Sequence, residues 1–411
     1  MIELKEALQI VLDAARLLGT ERVDMDDALD RVLAEDVAAD ADMPPFDKAA
    51  MDGYACRRED LANALTVVET IPAGAVPAKT IGPNQCAKIM TGAVVPQGAD
   101  CVIMVEQTQT LGSDSIRFAG EKTRDNICRK AEDIRCGQIV LRKGSRIGPQ
   151  QIAILASFGY VRPLVARRPT VAVIASGDEL VTPAQKPDLS QIRNSNSPQL
   201  SAQLRSMGVI AHDCGIVRDT EAEIDNALRA ALAEHDAVII SGGVSAGDFD
   251  FVPAVLRRNN VRLLFEKIAV KPGKPTVFGV TDRACVVSRA SRPRFEGETP
   301  STQAYCFGLP GNPVSTFVMF ELLVRPFLYR LMGHDYSPAT VQMTLDESIT
   351  RKDAERQGWI PVRLTSETTV RPVEYHGSAH SLALCEADGL ISVEIGIANI
   401  AQAAPVRVRL F

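Results

Sequence analysis

Leu4, Leu8, Val11, Leu12, Ala15 and Leu18 recur at three- and four-residue intervals, a spacing that predicts an amphipathic helix over residues 3–19 ending near Gly19. From about Leu65 to Arg142 the pattern changes to short apolar runs, LTVVETI, CVIMVEQTQT and SIRFAG, each bounded by Gly, Pro or Asn, and these predict a small β-rich domain. Helical spacing returns around GPQQIAILASFGY. The first domain therefore reads as discontinuous, residues 1–45 with 138–168, and residues 46–137 are inserted into it. Over 169–333 the runs TVAVIAS, DAVIIS, PTVFGV and AYCFGL suit buried strands, while SPQLSAQLRSMG and TEAEIDNALRAALAEH have helical periodicity, so this region should be a three-layer α/β domain. Residues 334–411, with ATVQMTL, WIPVRL, LISVEI and VRVRLF, predict a C-terminal β-barrel or sandwich. The expected class is multidomain α/β plus β, led by a helical linker domain.

A chain of 411 residues exceeds one ordinary core, in keeping with several domains, and 46% hydrophobic with 23% charged residues is ordinary for a globular protein. The formal charge of −6 argues against wholesale binding to nucleic acid or to an anionic membrane, so any anion site must be local. Nine cysteines without a CxxC pair resemble neither a disulfide framework nor a structural zinc site. The N-terminus lacks signal-peptide character, and no run approaches the roughly 18 apolar residues of a membrane span. A cytoplasmic protein is expected.

Against that acidic background, KIAVKPGKP (267–275) gathers Lys267, Lys271 and Lys274, the last two framed by Pro272, Gly273 and Pro275. Prolines fix φ and would aim these charges, whereas a solvated turn needs no such framing. In an α/β sheet, ligands bind at the carboxyl ends of the strands, and the loops there are SGDEL, SGGVSAGDFD and LPGNPVS. The second places Gly243 and Ser245 where backbone N–H groups can cradle a phosphate, although it is neither a P-loop nor a dinucleotide fingerprint. Asp248 or Asp250 alone would usually cap a helix. Glu179, Asp219 and Asp250 together, each after a predicted strand, suit a hydrated divalent cation beside phosphate. LPGNPVS predicts Asn312 as helix N-cap, Pro313 as the first helical residue and Ser315 in the first turn. FDKAAMDGYA and KIMTGAVVPQGAD read locally as turns. His376 and His380 lack the intervening Glu of a metalloprotease, and Gly377 disfavours the helix such a site needs.

The strings MDGYA, KIMTGA, AEDI, SGDEL, SGGVSAGDFD, VKPGKP and GLPGNPVS, in this order across nearly the whole chain, resemble the molybdopterin molybdenumtransferases, the family of bacterial MoeA and the gephyrin E domain. The resemblance implies an elongated homodimer of four-domain subunits. The active site would lie between the α/β domain of one subunit and the inserted domain of the other. It implies insertion of molybdate into adenylylated molybdopterin, with hydrolysis of the pyrophosphate link and release of AMP in the presence of Mg2+. By the same resemblance Lys271, Lys274, Ser315, Arg356 and Ser378 contact molybdate. Glu179, Asp219, Asp250 and Lys267 surround metal and pyrophosphate, and Asp52, Thr91 and Asp133 come from the inserted domain. The family also admits contact with the upstream adenylyltransferase.

Two departures stand out. Ala131 replaces the Gly usual before ED, which could shift the loop holding Asp133, and residues 282–304 form an unusually long connection whose Arg, Ser and Pro content suits a mobile surface loop that either covers the site or decorates it, with decoration favoured. Two other functions compete. The α/β domain shares its fold with proteins that adenylylate molybdopterin, so the chain could be a molybdopterin adenylyltransferase, but MDGYA and KIMTGA argue against that. A non-catalytic scaffold of the gephyrin E-domain type would need only a dimer surface, and retention of the acids and lysines favours catalysis. Tungstate, close to molybdate in size and charge, is not distinguished.

Overall fold

The computed structural model describes residues 1–244, 251–283, 303–374, 377 and 379–411. The chain divides into two compact units, one of residues 1–34, 144–148 and 164–411, the other of residues 35–143 and 149–163.

At the centre of the first unit is a six-stranded sheet in the order Ile210–Val217, Thr170–Ser176, Ala237–Ser241, Gln303–Leu309, Val277–Asp282, Arg262–Phe265. The first four strands are mutually parallel, Val277–Asp282 runs antiparallel to them, and Arg262–Phe265 at the edge runs antiparallel to Val277–Asp282. Alternate residues supply two cores: Val171, Val173, Ile239 and Phe307 belong to one buried cluster, and Ala172, Ile174, Ile240 and Cys306 to the other. A sheet apolar on both faces needs helices on both. Leu200 and Leu204 of helix Asn196–Arg205 join the first cluster; Leu228 and Leu232 of helix Glu221–Glu234 join the second. These are the three layers that the apolar runs predicted.

The reversed strand places the lysine turn. Val277 lies opposite Gly308, so the segment that precedes Val277 begins at the edge where Gln303–Leu309 ends. A parallel strand would have carried VKPGKP to the far edge. The run PTVFGV does not announce this reversal, and the short edge strand Arg262–Phe265 was not anticipated.

The C-terminal strands close on themselves. Gln357–Leu364, Thr369–Pro372, Thr340–Leu345, Pro405–Leu410 and Gly389–Val393 form a ring through the pairing of the first with the last, so the region is a barrel and not a sandwich. Val270–Lys271 adds to this barrel in parallel with Gln357–Gly358, which ties the lysine turn to the strand that follows Arg356.

The N-terminal helix is shorter than its periodicity predicts, Leu4–Ala14. Ala15 is extended, and the segment beyond it is held by tertiary bonds, Arg16 N–H to the Tyr305 hydroxyl at 3.0 Å and Leu18 N–H to Leu331 O at 2.9 Å. Tertiary contacts override the helical spacing here. CVIMVEQTQT likewise breaks into Cys101–Met104, a 3-10 turn at Val105–Gln107 and Thr108–Thr110, where Val105 N–H reaches Asp52 O.

The second unit is built on a six-stranded sheet, Cys101–Met104, Gly53–Cys56, Gln85–Ile89, Ala64–Ile71, Ser115–Phe118, Thr108–Thr110. Ala55, Ala87 and Val102 pack on one face, and Cys56, Cys86 and Ile103 on the other. Every cysteine among the described residues is a free thiol, and no helix among them is long and apolar enough to cross a membrane.

Candidate active site

Ser176, the last residue of its strand, is the hub of the sheet's carboxyl edge. Its hydroxyl donates to Asp219 Oδ1, and Asp219 N–H in turn donates to Asp178 Oδ1 at 3.2 Å. The Glu179 carboxylate folds back over Gly177, where a Cβ would stand 2.6 Å from Oε2. Gly242 has φ +102° and a Cβ there would meet Ser176 O at 2.3 Å, so only glycine lets the next strand's turn come this close. Gly243 follows with φ +64°. Asn196, buried at the start of its helix, donates from Nδ2 to Ser241 Oγ and to Gly311 O, both at 2.7 Å, and so stitches the SGGV and LPGN loops together. Acids and glycine turns therefore share one edge.

On the same unit a cavity of about 1030 Å³ opens beside the barrel, lined among others by Lys271, Lys274, Asn312, Ser315, Arg356 and the chain's single tryptophan, Trp359. The lysine turn is closed by its own backbone: Ile268 N–H and Thr276 N–H both donate to Lys274 O at 3.0 Å, and the buried Thr276 hydroxyl donates to Gly273 O at 2.6 Å. Gly273 has φ +124° and its absent Cβ would lie 2.6 Å from Met319 Sδ. Both lysines are exposed, and among the described residues no acid pairs with Lys274. Ser315 is 3% exposed in helix Pro313–Met319. Asn312 occupies the N-cap position, but its side chain makes no capping bond; its carbonyl accepts from Thr316 N–H at 3.0 Å instead. Asn312 as N-cap and Pro313 as the first helical residue are both as expected. Arg356 Nη2 donates to Asp353 Oδ2 at 2.5 Å, and Lys271 Nζ lies 3.5 Å from the same oxygen.

In the second unit, Gly53 stands opposite Ile89, so the residues flanking that pair meet at one end of the sheet. Thr91 accordingly donates both its N–H and its hydroxyl to Asp52 Oδ1, each at 2.6 Å, and these bonds, the hydroxyl first, hold the Asp52 carboxyl below its ordinary pKa. Asp133 is exposed in a separate turn and donates its N–H to Met43 O.

Two comparisons fix the relationship. A curated molybdopterin molybdenumtransferase of Staphylococcus epidermidis is 35% identical over 405 residues, 96% of this chain and 92% of that protein, and one of Staphylococcus aureus is 34% identical over 409 residues. Family models described as the MoeA N-terminal region (domain I and II), a probable molybdopterin binding domain and the MoeA C-terminal region (domain IV) match residues 2–159, 172–330 and 344–411. The chain belongs to the MoeA family. A solved MoeA structure from Pyrococcus horikoshii superposes over the full length of both chains with a TM-score of 0.82 at 28% identity, and another from that organism gives 0.78 at 29%.

Within this MoeA fold the residues singled out from sequence fall into three groups. Glu179, Asp219 and Gly243 gather at the sheet edge; Lys271, Lys274, Ser315 and Arg356 line the barrel-side cavity; Asp52 and Thr91 bond to each other in the second unit. Lys267 is exposed, and its carbonyl accepts from Ile2 N–H. Asp248, Asp250, Ser245, Ser378, His376 and residues 284–302 of the long connection lie outside the described residues. Among the described residues no group of three His, Cys, Asp or Glu side chains is spaced to hold a metal ion.

Sequence reasoning missed four residues here. Ser176 and Asn196 sit in polar strings, ASGDEL and RNSNSP, that could have been read as loop-to-loop ties. Asp353 lies three residues before Arg356, a helix-like spacing in a segment with no helical pattern. Arg351 gave no signal. Its part-buried guanidinium donates to Val393 O at 3.1 Å, to Ile397 O at 3.3 Å and to Arg356 O, fixing the loop that carries both Asp353 and Arg356.

Proposed function

We propose that this MoeA-family protein acts in molybdenum cofactor biosynthesis as a molybdopterin molybdenumtransferase. It inserts molybdate into adenylylated molybdopterin, with hydrolysis of the pyrophosphate link and release of AMP. The observation that carries this reading is the cavity in which Lys271, Lys274, Ser315 and Arg356 converge in a chain of net charge −6. A compact dianion is the ligand that such a local concentration of cations and one buried hydroxyl suits.

In this reading Lys271, Lys274 and Arg356 neutralise molybdate, and Ser315 donates to it from the floor of the cavity. Gly243, with Ser245, cradles phosphate through backbone N–H groups. Mg2+ binding asks for one or two carboxylates plus phosphate oxygens and water, and Glu179 and Asp219, the latter tied to Ser176 and Asp178, offer that donor set, with Asp250 as a further candidate ligand. When bound, Mg2+ supplies charge neutralisation at the pyrophosphate. Lys267 adds a positive charge for the same group. Asp52, Thr91 and Asp133 serve through a homodimer in which a second copy completes each site, in a cytoplasmic enzyme that receives its substrate from an adenylyltransferase. Retained acids and lysines support this over a scaffold. The match to MoeA models at both ends of the chain supports it over a free-standing adenylyltransferase.

The test is AMP release from adenylylated molybdopterin with Mg2+ and either molybdate or tungstate. Asp250→Asn should fold and lose metal-dependent release. Wild-type turnover in that variant would return Asp250 to a structural role.

A further inference from the structure

Asp353 stands between the two cations on which the oxyanion reading leans most. Its Oδ2 accepts from Arg356 Nη2 at 2.5 Å and lies 3.5 Å from Lys271 Nζ, while its Oδ1 accepts from Glu355 N–H at 3.0 Å. The side chain is one-quarter exposed and lines the same cavity as Lys274 and Ser315. Arg356 above all, then the Glu355 N–H, hold its carboxyl down to about 2, so it is ionised wherever the protein is folded and working. A dianion arriving between Lys271 and Arg356 therefore meets a carboxylate already seated there. Like charges a few ångströms apart repel strongly, and two cations cannot satisfy both anions at once. One must leave.

We propose that Asp353 is an internal competitor: it occupies Lys271 and Arg356 while no oxyanion is bound, and swings away when a divalent oxyanion takes its place. The inference rests on the oxyanion reading of this cavity. The competitor keeps Lys271 and Arg356 together and oriented in the empty site, on a loop that Arg351 pins to the barrel through Val393 O and Ile397 O. It also sets a threshold. Anions that hold the two cations weakly do not displace a carboxylate tethered beside them, whereas a ligand that also engages Lys274 and Ser315 does. The cost falls on every divalent oxyanion alike. Removing the charge should tighten all of them, whereas loss of a residue that merely orients Arg356 would weaken them.

The experiment titrates the purified full chain with molybdate and, separately, with sulfate. Binding is followed calorimetrically and by the fluorescence of Trp359, the one tryptophan, which lines the cavity. Asp353→Asn keeps an oxygen for the Glu355 N–H and so the shape of the turn, and its thermal unfolding is checked against wild type. This variant should bind both oxyanions on the order of tenfold more tightly. Asp353→Glu, which restores the charge, should return Kd to within a few-fold of wild type. Unchanged or weaker binding in Asp353→Asn, with Lys274→Ala still weakening molybdate, would overturn the competitor and leave the oxyanion site standing. Absence of saturable oxyanion binding in wild type, or indifference to Lys274→Ala, would overturn the site and the competitor together.

Discussion

Thr91 spends both of its donors on a single oxygen of Asp52, and this pair carries a prediction about titration. Bonds to the charged form lower a carboxyl pKa. Asp52 therefore contributes stability that is present above its ordinary value of 3.8 and is lost as the pH falls through the lower folded value. In Thr91→Val the hydroxyl donor goes and the backbone donor stays, so the Asp52 carboxyl should titrate part-way back toward the ordinary value. Carbon-detected NMR titration reads this directly; an unmoved Asp52 would mean that the hydroxyl bond is not kept in solution. Ala131 carries a second prediction. It has φ +61°, a left-handed conformation that costs an L-residue roughly 1–2 kcal/mol and that Gly adopts freely. Ala131→Gly should stabilise its unit by about 1 kcal/mol, seen as a higher Tm in calorimetry, since the relieved strain exceeds the added chain entropy of Gly. A lower Tm would mean that the loop relaxes around Ala at no cost. Single residues were legible from sequence when their type was unusual for their surroundings, as with lysines between prolines. Ser176 and Asn196 were not, because a polar residue at a strand end has many uses and only the fold selects one.

Elements were legible where the apolar run itself decides the structure. TVAVIAS is the strand Thr170–Ser176 residue for residue, and TEAEIDNALRAALAEH contains helix Glu221–Glu234, its N-terminus fixed by the Thr220 side chain accepting from Glu223 N–H. Direction was not legible. Nothing in PTVFGV says that Val277–Asp282 runs against its neighbour, yet that reversal brings VKPGKP to the edge where LPGNPVS begins its helix. Nor did the periodicity near Leu18 reveal that the helix stops at Ala14, because the competing bonds come from Tyr305 and Leu331, remote in sequence. The turn itself makes a prediction. Gly273→Ala forces a side chain onto φ +124° and against Met319; the methionine can yield, but the backbone cannot keep that angle cheaply. The turn that presents Lys271 and Lys274 should shift, raising the molybdate concentration for half-maximal insertion about tenfold while the far-ultraviolet circular dichroism stays unchanged. An unaltered molybdate dependence would mean that the lysines do not need this backbone.

At the scale of the whole molecule, matches to MoeA models over residues 2–159 and 344–411 and a full-length superposition fix the family, while the assembly is a separate proposition. If two copies complete each site, a heterodimer with Asp52→Ala in one chain and Asp250→Ala in the other should retain about one working site in two, because both lesions then fall in the same site. Two dead sites would place the groups within one chain, and an active monomer at low concentration in sedimentation would remove the need for a partner. If the cations of the barrel-side cavity bring molybdate to the pterin, Lys274 is the one to remove, since no acid among the described residues shares its charge. Losing one charge-assisted contact should cost on the order of 1.5–3 kcal/mol, about ten- to a hundredfold in affinity. The measurement is AMP release from adenylylated molybdopterin with Mg2+ across a molybdate titration, for wild type and Lys274→Ala. Release should depend on molybdate in wild type, with the half-maximal concentration raised at least tenfold in Lys274→Ala and pterin binding little changed; identical molybdate curves for the two proteins would mean that Lys274 does not hold the oxyanion.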